Sequence, residues 1–296
     1  MKEEKTFKEQ IEILRNRKLQ PLPQNLSEDE EKIELFLKNN NYYRVTGYLY
    51  KYKIDGCEDF SEEICLDKLL QIYSFDESLR SLISKILGVI EVSFRTYIAY
   101  TLAISYGPLG YLDKNNFFDE DRHSKTMDII KGIVNQRKNK KRIQHNIDIN
   151  GEDLPILVLI DILSFTNLYH IFDNMKKDDK KKISKDFLRN YISPQIIGKW
   201  LSAFSKLRND CAHHERIYYE DLTNIDIKTP VVKSDLKNQN DNLFAYLLCA
   251  CHLIYKEDIW LDFLIKLEEE INAYPLIDIS KIGFPKDWLS ILKEEF

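Results

Sequence analysis

The chain has 296 residues, 44% of them apolar and 12% aromatic, which is enough to build a sizeable core and excludes a globally disordered chain. A net charge of −5 argues mildly against nucleic-acid binding, although 43 basic residues make their placement matter more than their sum. With only 9 Gly and 8 Pro, tight turns are few, which disfavours a many-stranded β fold and predicts an all-α chain of long helices.

No apolar run reaches the roughly 18 residues of a membrane span, and Met1-Lys2-Glu3-Glu4-Lys5 has no apolar signal-peptide core. No membrane association is expected. Five cysteines without framework spacing fit a reducing, cytoplasmic setting.

In chain order, Phe7, Ile11 and Leu14 stand at helical spacing over 5–18, and Leu19-Gln20-Pro21-Leu22-Pro23 breaks that helix. Ser27, followed by Glu28, Asp29 and Glu30, reads as an N-cap with acids in the first turn of a second helix through Ile33, Phe36 and Leu37. The Tyr-rich basic stretch Tyr42–Lys53 reads as a short strand or hairpin arm. The loop at 55–62 suggests a boundary, giving an N-terminal helical and tyrosine-rich subdomain over 1–58 and a larger helical domain over 59–296.

From Leu66 to Tyr106 the apolar pattern is helical almost throughout, until Gly107-Pro108 stops it. A polar helix over 121–139 ends in a basic run. A loop at 146–154 precedes an apolar helix over 155–173 opened by Pro155. Shorter helices are expected at 179–191 and 194–214, a polar loop at 224–241, and one or two helices within 242–273.

The segment 194–214 carries the chemistry. At about 100° per residue with Phe204 at 0°, Ile197, Trp200, Leu207 and Cys211 fall within about 60° and form a core stripe. Arg208 sits at its edge, near 40°. Ala212, Arg216, Asn209 and His213 follow at roughly 80°, 120°, 140° and 180°. A guanidinium at the edge of a core needs an anion, and a phosphate satisfies it bidentately. A histidine beside it moves protons near neutral pH. These are the parts for cleaving RNA without metal: the substrate's 2′-hydroxyl attacks, His213 handles the proton, and Arg208 stabilises the developing charge. Arg208 and His213 diverge by about 140° on a straight helix. Either the helix distorts between them or two copies of the motif share the work. Spacing alone does not single out an enzyme, since an Arg and a His on a helix are usually a solvated face.

Leu207-Arg208-Asn209-Asp210-Cys211-Ala212-His213-His214-Glu215-Arg216 resembles the signature of the Abi-like proteins of the AbiD/AbiF type, within the HEPN superfamily. In that pattern Arg, often followed by a polar residue, precedes His by four to six positions. His213 matches at four intervening residues and His214 at five. Asn41-Tyr42-Tyr43-Arg44-Val45-Thr46-Gly47-Tyr48, Ser74-Phe75-Asp76-Glu77-Ser78-Leu79-Arg80, Ile90–Arg95, Tyr106-Gly107-Pro108 and Leu154-Pro155-Ile156 are similar to further family blocks. Ile156, Asp161 and Thr166 depart from it where Trp, Glu and Gly are common.

The resemblance implies a HEPN-type helical bundle and a metal-independent endoribonuclease toxin of antiphage abortive infection. It implies a homodimer with a composite site formed by Arg208, Asn209, His213 and His214, no cofactor, and possible association with a small structured RNA. The alternative is a non-catalytic RNA-binding protein that sequesters a structured RNA.

Candidate RNA contacts are Tyr43 and Arg44, which could stack bases although packing against the helical domain is their default, Arg216 of the motif, and the acid-free run Arg137, Lys138, Lys140, Lys141 and Arg142, the default for such a run being a solvated face. A second basic run over 176–185 contains two acids and is the weaker candidate. Glu91 and Arg95, four apart, form either a surface pair or a carboxylate that faces and orients Arg208. Cys249-Ala250-Cys251-His252 lies in a core-like helix and lacks paired zinc-ligand spacing, so no metal is expected.

Overall fold

The computed structural model describes residues 5–19, 26–61, 64–151, 153–232 and 240–296, without the side chains of 26–30 and 150. Among these residues there are thirteen α-helices and no β-strand, only two isolated bridges, Lys53 to Phe60 and Phe117 to Met175. The fold is all-α. The break at Pro21 and Pro23, and the side chains of Ser27, Glu28, Asp29 and Glu30, lie outside the described residues.

The helices are α1 (Phe7–Asn16), α2 (Leu26–Asn39), α3 (Tyr42–Leu49), α4 (Leu66–Tyr106), α5 (Glu120–Arg137), α6 (Lys141–Asn150), α7 (Ile156–Leu159), α8 (Phe165–Asn174), α9 (Lys177–Phe187), α10 (Pro194–Ala212), α11 (Leu243–Ala250), α12 (Glu257–Ala273) and α13 (Trp288–Glu295). The 41-residue α4 is about 60 Å long and is the spine: α3, α7, α8, α9, α10 and α12 all pack on it. Its stripe Leu69, Ile72, Leu79, Ile83, Ile86, Leu87, Ile90, Phe94 and Ile98 is buried. Gly107, at φ 81°, ends it in a conformation that costs glycine little. Buried residues from both sides of position 58 join one core.

Several elements depart from the sequence reading. Tyr42–Lys53 is no strand. Asn41 accepts from the Tyr43 amide at 2.8 Å and starts α3, which buries Val45, Tyr48 and Leu49 at helical spacing. That period overrides the β-propensity of its aromatics. The helix expected over 155–173 is two helices, because Ser164 and Asn167 form a capping box that starts α8 afresh. The basic run at 137–142 separates α5 from α6, and α6 continues to Asn150 where a loop was expected. The helices within 242–273 are α11 and α12.

Candidate functional site

α10 begins where Ser193 accepts from the Ile196 amide and Pro194 occupies the first turn. Its stripe Ile197, Trp200, Phe204, Leu207 and Cys211 is buried, as the helical wheel requires. The helix stays regular through Ala212 and then stops. His213 caps it at φ −90°, ψ 8°, and His214 is left-handed at φ 58°. The His214 amide donates to the Cys211 carbonyl at 3.2 Å and the Glu215 amide to the Asp210 carbonyl at 2.8 Å. These two bonds are a Schellman closure, whose left-handed position is usually glycine. A residue with a Cβ there costs about 1–2 kcal/mol. Ala212, His213, His214 and Glu215 are consequently an exposed corner, and the two histidines lie at the helix end, not within it.

Arg208 is partly exposed and lies over α4. Its Nε is 3.3 Å from Glu91 Oε2, with side-chain exposures of 36% and 6%. The other Glu91 oxygen accepts from Arg95 Nη2 at 2.5 Å, and the same nitrogen donates to the Leu163 carbonyl at 2.9 Å. Asn209 Oδ1 accepts from Arg208 Nη1, and Asn209 Nδ2 donates to Thr166 Oγ1 of α8, both at 3.4 Å. Of the two readings of Glu91, the pair with Arg95 forms but is not a surface one, since Glu91 is buried, and the same carboxylate faces Arg208. Two guanidiniums share one carboxylate, which leaves one positive charge in excess within this trio, while Asp210 and Glu215 bring carboxylates to the helix end.

The chain leaving that corner is held by a buried cluster the sequence reading did not assign. Asp76, Arg80 and Tyr48 are all buried. Asp76 accepts from Tyr48 Oη at 2.7 Å, from Arg80 Nη1, and from the Ile217 and Tyr218 amides at 3.1 and 2.8 Å. Arg80 Nη1 also reaches the Glu215 carbonyl at 3.4 Å. From α3, Arg44 Nη2 donates to the His214 carbonyl at 2.6 Å while its Nε donates to Tyr73 Oη. A Cβ on Gly47 would lie 1.5 Å from Arg216 Nη1, so glycine there lets Arg216 cross α3. Arg216 stacks over the Tyr48 ring and pairs with Glu220 at 2.9 Å. The Asn41–Tyr48 block and the Ser74–Arg80 block thus grip one short segment, 214–218.

The remaining expected residues divide. Arg44 and Arg216 are at the motif, engaged as described, and Tyr43 stands beside them, 74% exposed. Arg137, Lys138, Lys140, Lys141 and Arg142 are exposed at the junction of α5 and α6. No hydrogen bond or ion pair among the described residues joins them to the motif directly. Arg142 pairs with Asp161 at 2.7 Å, on the segment 161–166 that touches the site through Leu163 and Thr166. In the second basic run, Lys180, Lys181 and Lys182 are engaged by the Asp173 carbonyl, Asp178 and Asp179.

Inside the motif, burial pushes the Cys211 thiol up to about 11, so it stays protonated and is no nucleophile at neutral pH. Burial, and then the charge of Glu215, raise the Asp210 carboxyl, against Lys206 and His213. Cys249, Cys251 and His252 are buried, and His252 Nε2 faces Glu295 Oε1 at 3.1 Å. Among the described residues no three His, Cys, Asp or Glu side chains gather as metal ligands, and no helix is long and apolar enough to cross a membrane.

The fold and site define an all-α protein with a polar, charged centre at the C-terminal end of one helix, braced by the central helix. The chain belongs to the Abi-like protein family, whose model matches residues 35–219. That span opens in α2 and closes just past the gripped segment, so it contains Arg44, Asp76, Arg80, Glu91, Thr166 and the motif itself. No curated protein and no solved structure matches the chain.

Proposed function

We propose that this protein is a HEPN-type endoribonuclease of abortive-infection defence against phage, cutting RNA without metal at Arg208, Asn209, His213 and His214. The observation that carries this reading is the placement of Arg208: held by Glu91, which also pairs with Arg95, on the last turns of a helix that ends in two exposed imidazoles. A phosphodiester drawn to that charge meets an imidazole of the same or of a second copy. The imidazole takes the proton of the 2′-hydroxyl or supplies one to the departing 5′-oxygen. The 2′-oxygen bonds to phosphorus, the bond to the 5′-oxygen breaks, and Arg208 offsets the charge on the equatorial oxygens. Tyr43, Arg44 and Arg216 supply RNA contacts at the corner, and the arm Arg137–Arg142 a more distant one. The setting is cytoplasmic, in keeping with five free cysteines.

The test is the chemistry of the products. Cleavage in a chelator, leaving 2′,3′-cyclic phosphate and 5′-hydroxyl ends, is expected. Strict Mg²⁺ dependence with 5′-phosphate ends overturns the mechanism.

We further propose a homodimer. Arg208 faces α4 while His213 lies beyond the helix end, and the exposed Ala212 between them lets a second α10 approach closely about a two-fold axis. Arg208 of one copy and His213 of the other then meet one phosphate. Mixing Arg208→Ala with His213→Ala, each inactive alone, is expected to restore part of the activity. A monomer by light scattering that is active at high dilution contradicts it. The second reading, RNA binding without turnover, is favoured by the hold of Glu91 on Arg208, which spends part of the guanidinium's charge inside the chain.

A further inference from the structure

Beside the exposed side of α10 lies a cleft of about 720 Å³, walled by α8, α10 and the segment 223–228. Its chemistry is specific. Gln195, Asn224 and Asn240 bring amides, Ser202 a hydroxyl, and Tyr169 a half-exposed ring. Its two carboxylates are already matched: Asp173 by Arg122 at 2.8 Å, and Asp226 by Lys199 at 2.8 Å. What remains is a neutral, hydrogen-bonding surface with one aromatic face, with Lys228 on its wall. A second cleft of about 350 Å³ shares Tyr169 and Asp173 and opens toward Lys125 and His170, so the Tyr169 ring stands on the ridge between two hollows.

One strip of α10 leads from the cleft toward the candidate site. At 100° per residue, Gln195, Ser202, Lys206 and Asn209 fall within about 60° of one another, and His213 caps the same strip. Lys206 is exposed on it. Ser202 is seven residues from Asn209, about 10 Å along the axis, which is the length of about three stacked nucleotides at 3.4 Å each. α8 borders the strip throughout: Asp173 lies against Gly198 at one end and Thr166 bonds Asn209 at the other.

We propose that this cleft is a base-recognition site for single-stranded RNA, two or three nucleotides from the phosphate at Arg208. Tyr169 stacks on the base, Gln195 and Asn240 read its edge, and Lys206 follows the intervening phosphates. A nucleobase fits this lining because amides both donate and accept on adjacent atoms, and because every base has a face to stack. The position of the cut relative to the cleft rests on the ribonuclease reading; the occupancy of the cleft by RNA does not.

The test uses the full chain and a fluorescein-labelled single-stranded RNA of random sequence. In the His213→Ala background, which removes cutting, Tyr169→Ala and Ser202→Trp are each expected to weaken binding about tenfold or more, since one base stack contributes about 1–3 kcal/mol. Lys206→Ala is expected to weaken binding and to lower the salt slope by about one. These positions are exposed or half-exposed, and circular dichroism checks that the variants fold. With His213 intact, Tyr169→Ala is expected to flatten base preference at the second or third nucleotide from the cut. If Tyr169→Ala and Ser202→Trp bind RNA as tightly as their parent, the proposal is wrong. If they lose binding but no form of the protein cuts RNA, the cleft stands and the ribonuclease reading falls. If RNA is cut with the same base preference in every variant, the ribonuclease reading stands and the cleft falls.

Discussion

Glu91 and Arg208 meet across α4 and α10, with Arg208 Nε 3.3 Å from a carboxylate oxygen that is all but closed to water. Because Arg95 claims the other oxygen, Glu91 fixes both the position and the net charge of the pair. Glu91→Gln leaves two guanidiniums facing a neutral group. It is expected to destabilise the fold by about 2 kcal/mol, less than a fully buried pair because both arginines are partly exposed. It is also expected to slow RNA cleavage by about 10²-fold through misplacement of Arg208. Cleavage at the normal rate in a folded Glu91→Gln protein would show that Arg208 needs no such support.

Asp76 is the most heavily used carboxylate at the corner, accepting from Tyr48, Arg80 and two backbone amides. Asp76→Ala strands a buried Arg80 and should cost about 3–5 kcal/mol, read as a fall in the denaturant midpoint. Tyr48→Phe removes the bond to Asp76 and the longer one from Arg80 Nη1 and should cost about 1–2 kcal/mol. An Asp76→Ala protein as stable as the parent would mean that the cluster does not hold the 215–218 segment.

His214 sits where glycine is favoured. His214→Gly should leave stability unchanged or raise it by about 1 kcal/mol while deleting one imidazole. Paired with His213→Ala, it assigns the proton transfer. If His213 carries it, His214→Gly keeps most of the activity and His213→Ala loses it; the reverse pattern gives the role to His214.

The raised Asp210 carboxyl predicts a pH dependence. A carboxyl that holds its proton more tightly folded than unfolded disfavours folding once ionised. This penalty is absent below the ordinary carboxylate range and fully present at neutral pH. Asp210→Asn should therefore raise the melting midpoint at about pH 7, and the gain should shrink as the pH falls toward about 4. A gain that is constant across that range would place its origin elsewhere.

Much of this was legible in the residues. The apolar period gave α4 almost to the residue, and the wheel placed Arg208 at the edge of the buried stripe. The role of Asp76 was not read, and Glu91 stood only as one of two alternatives. Asp76 lies four residues after Ile72 and three before Leu79, and Glu91 four after Leu87 and three before Phe94, so both carboxylates stand on the buried stripe of α4. A charge there requires a partner, and that is the signal for both, but the partner's identity depends on which helices pack on α4. The helix stop at Ala212 was also hidden, because a histidine occupies the left-handed position that glycine would have announced. The α3 helix was obscured by its tyrosines, and the start of α8 by an apolar run that Asp161 and Ser164 interrupt only singly.

The most direct measurement is multiple-turnover cleavage of single-stranded RNA by the full chain in a chelator, with Arg208→Ala and His213→Ala alongside. The account predicts cut ends in molar excess over protein, with both variants folded and slower by about 10²–10⁴-fold. Stoichiometric RNA binding without cuts, or cleavage by both variants at the parent's rate, would contradict it.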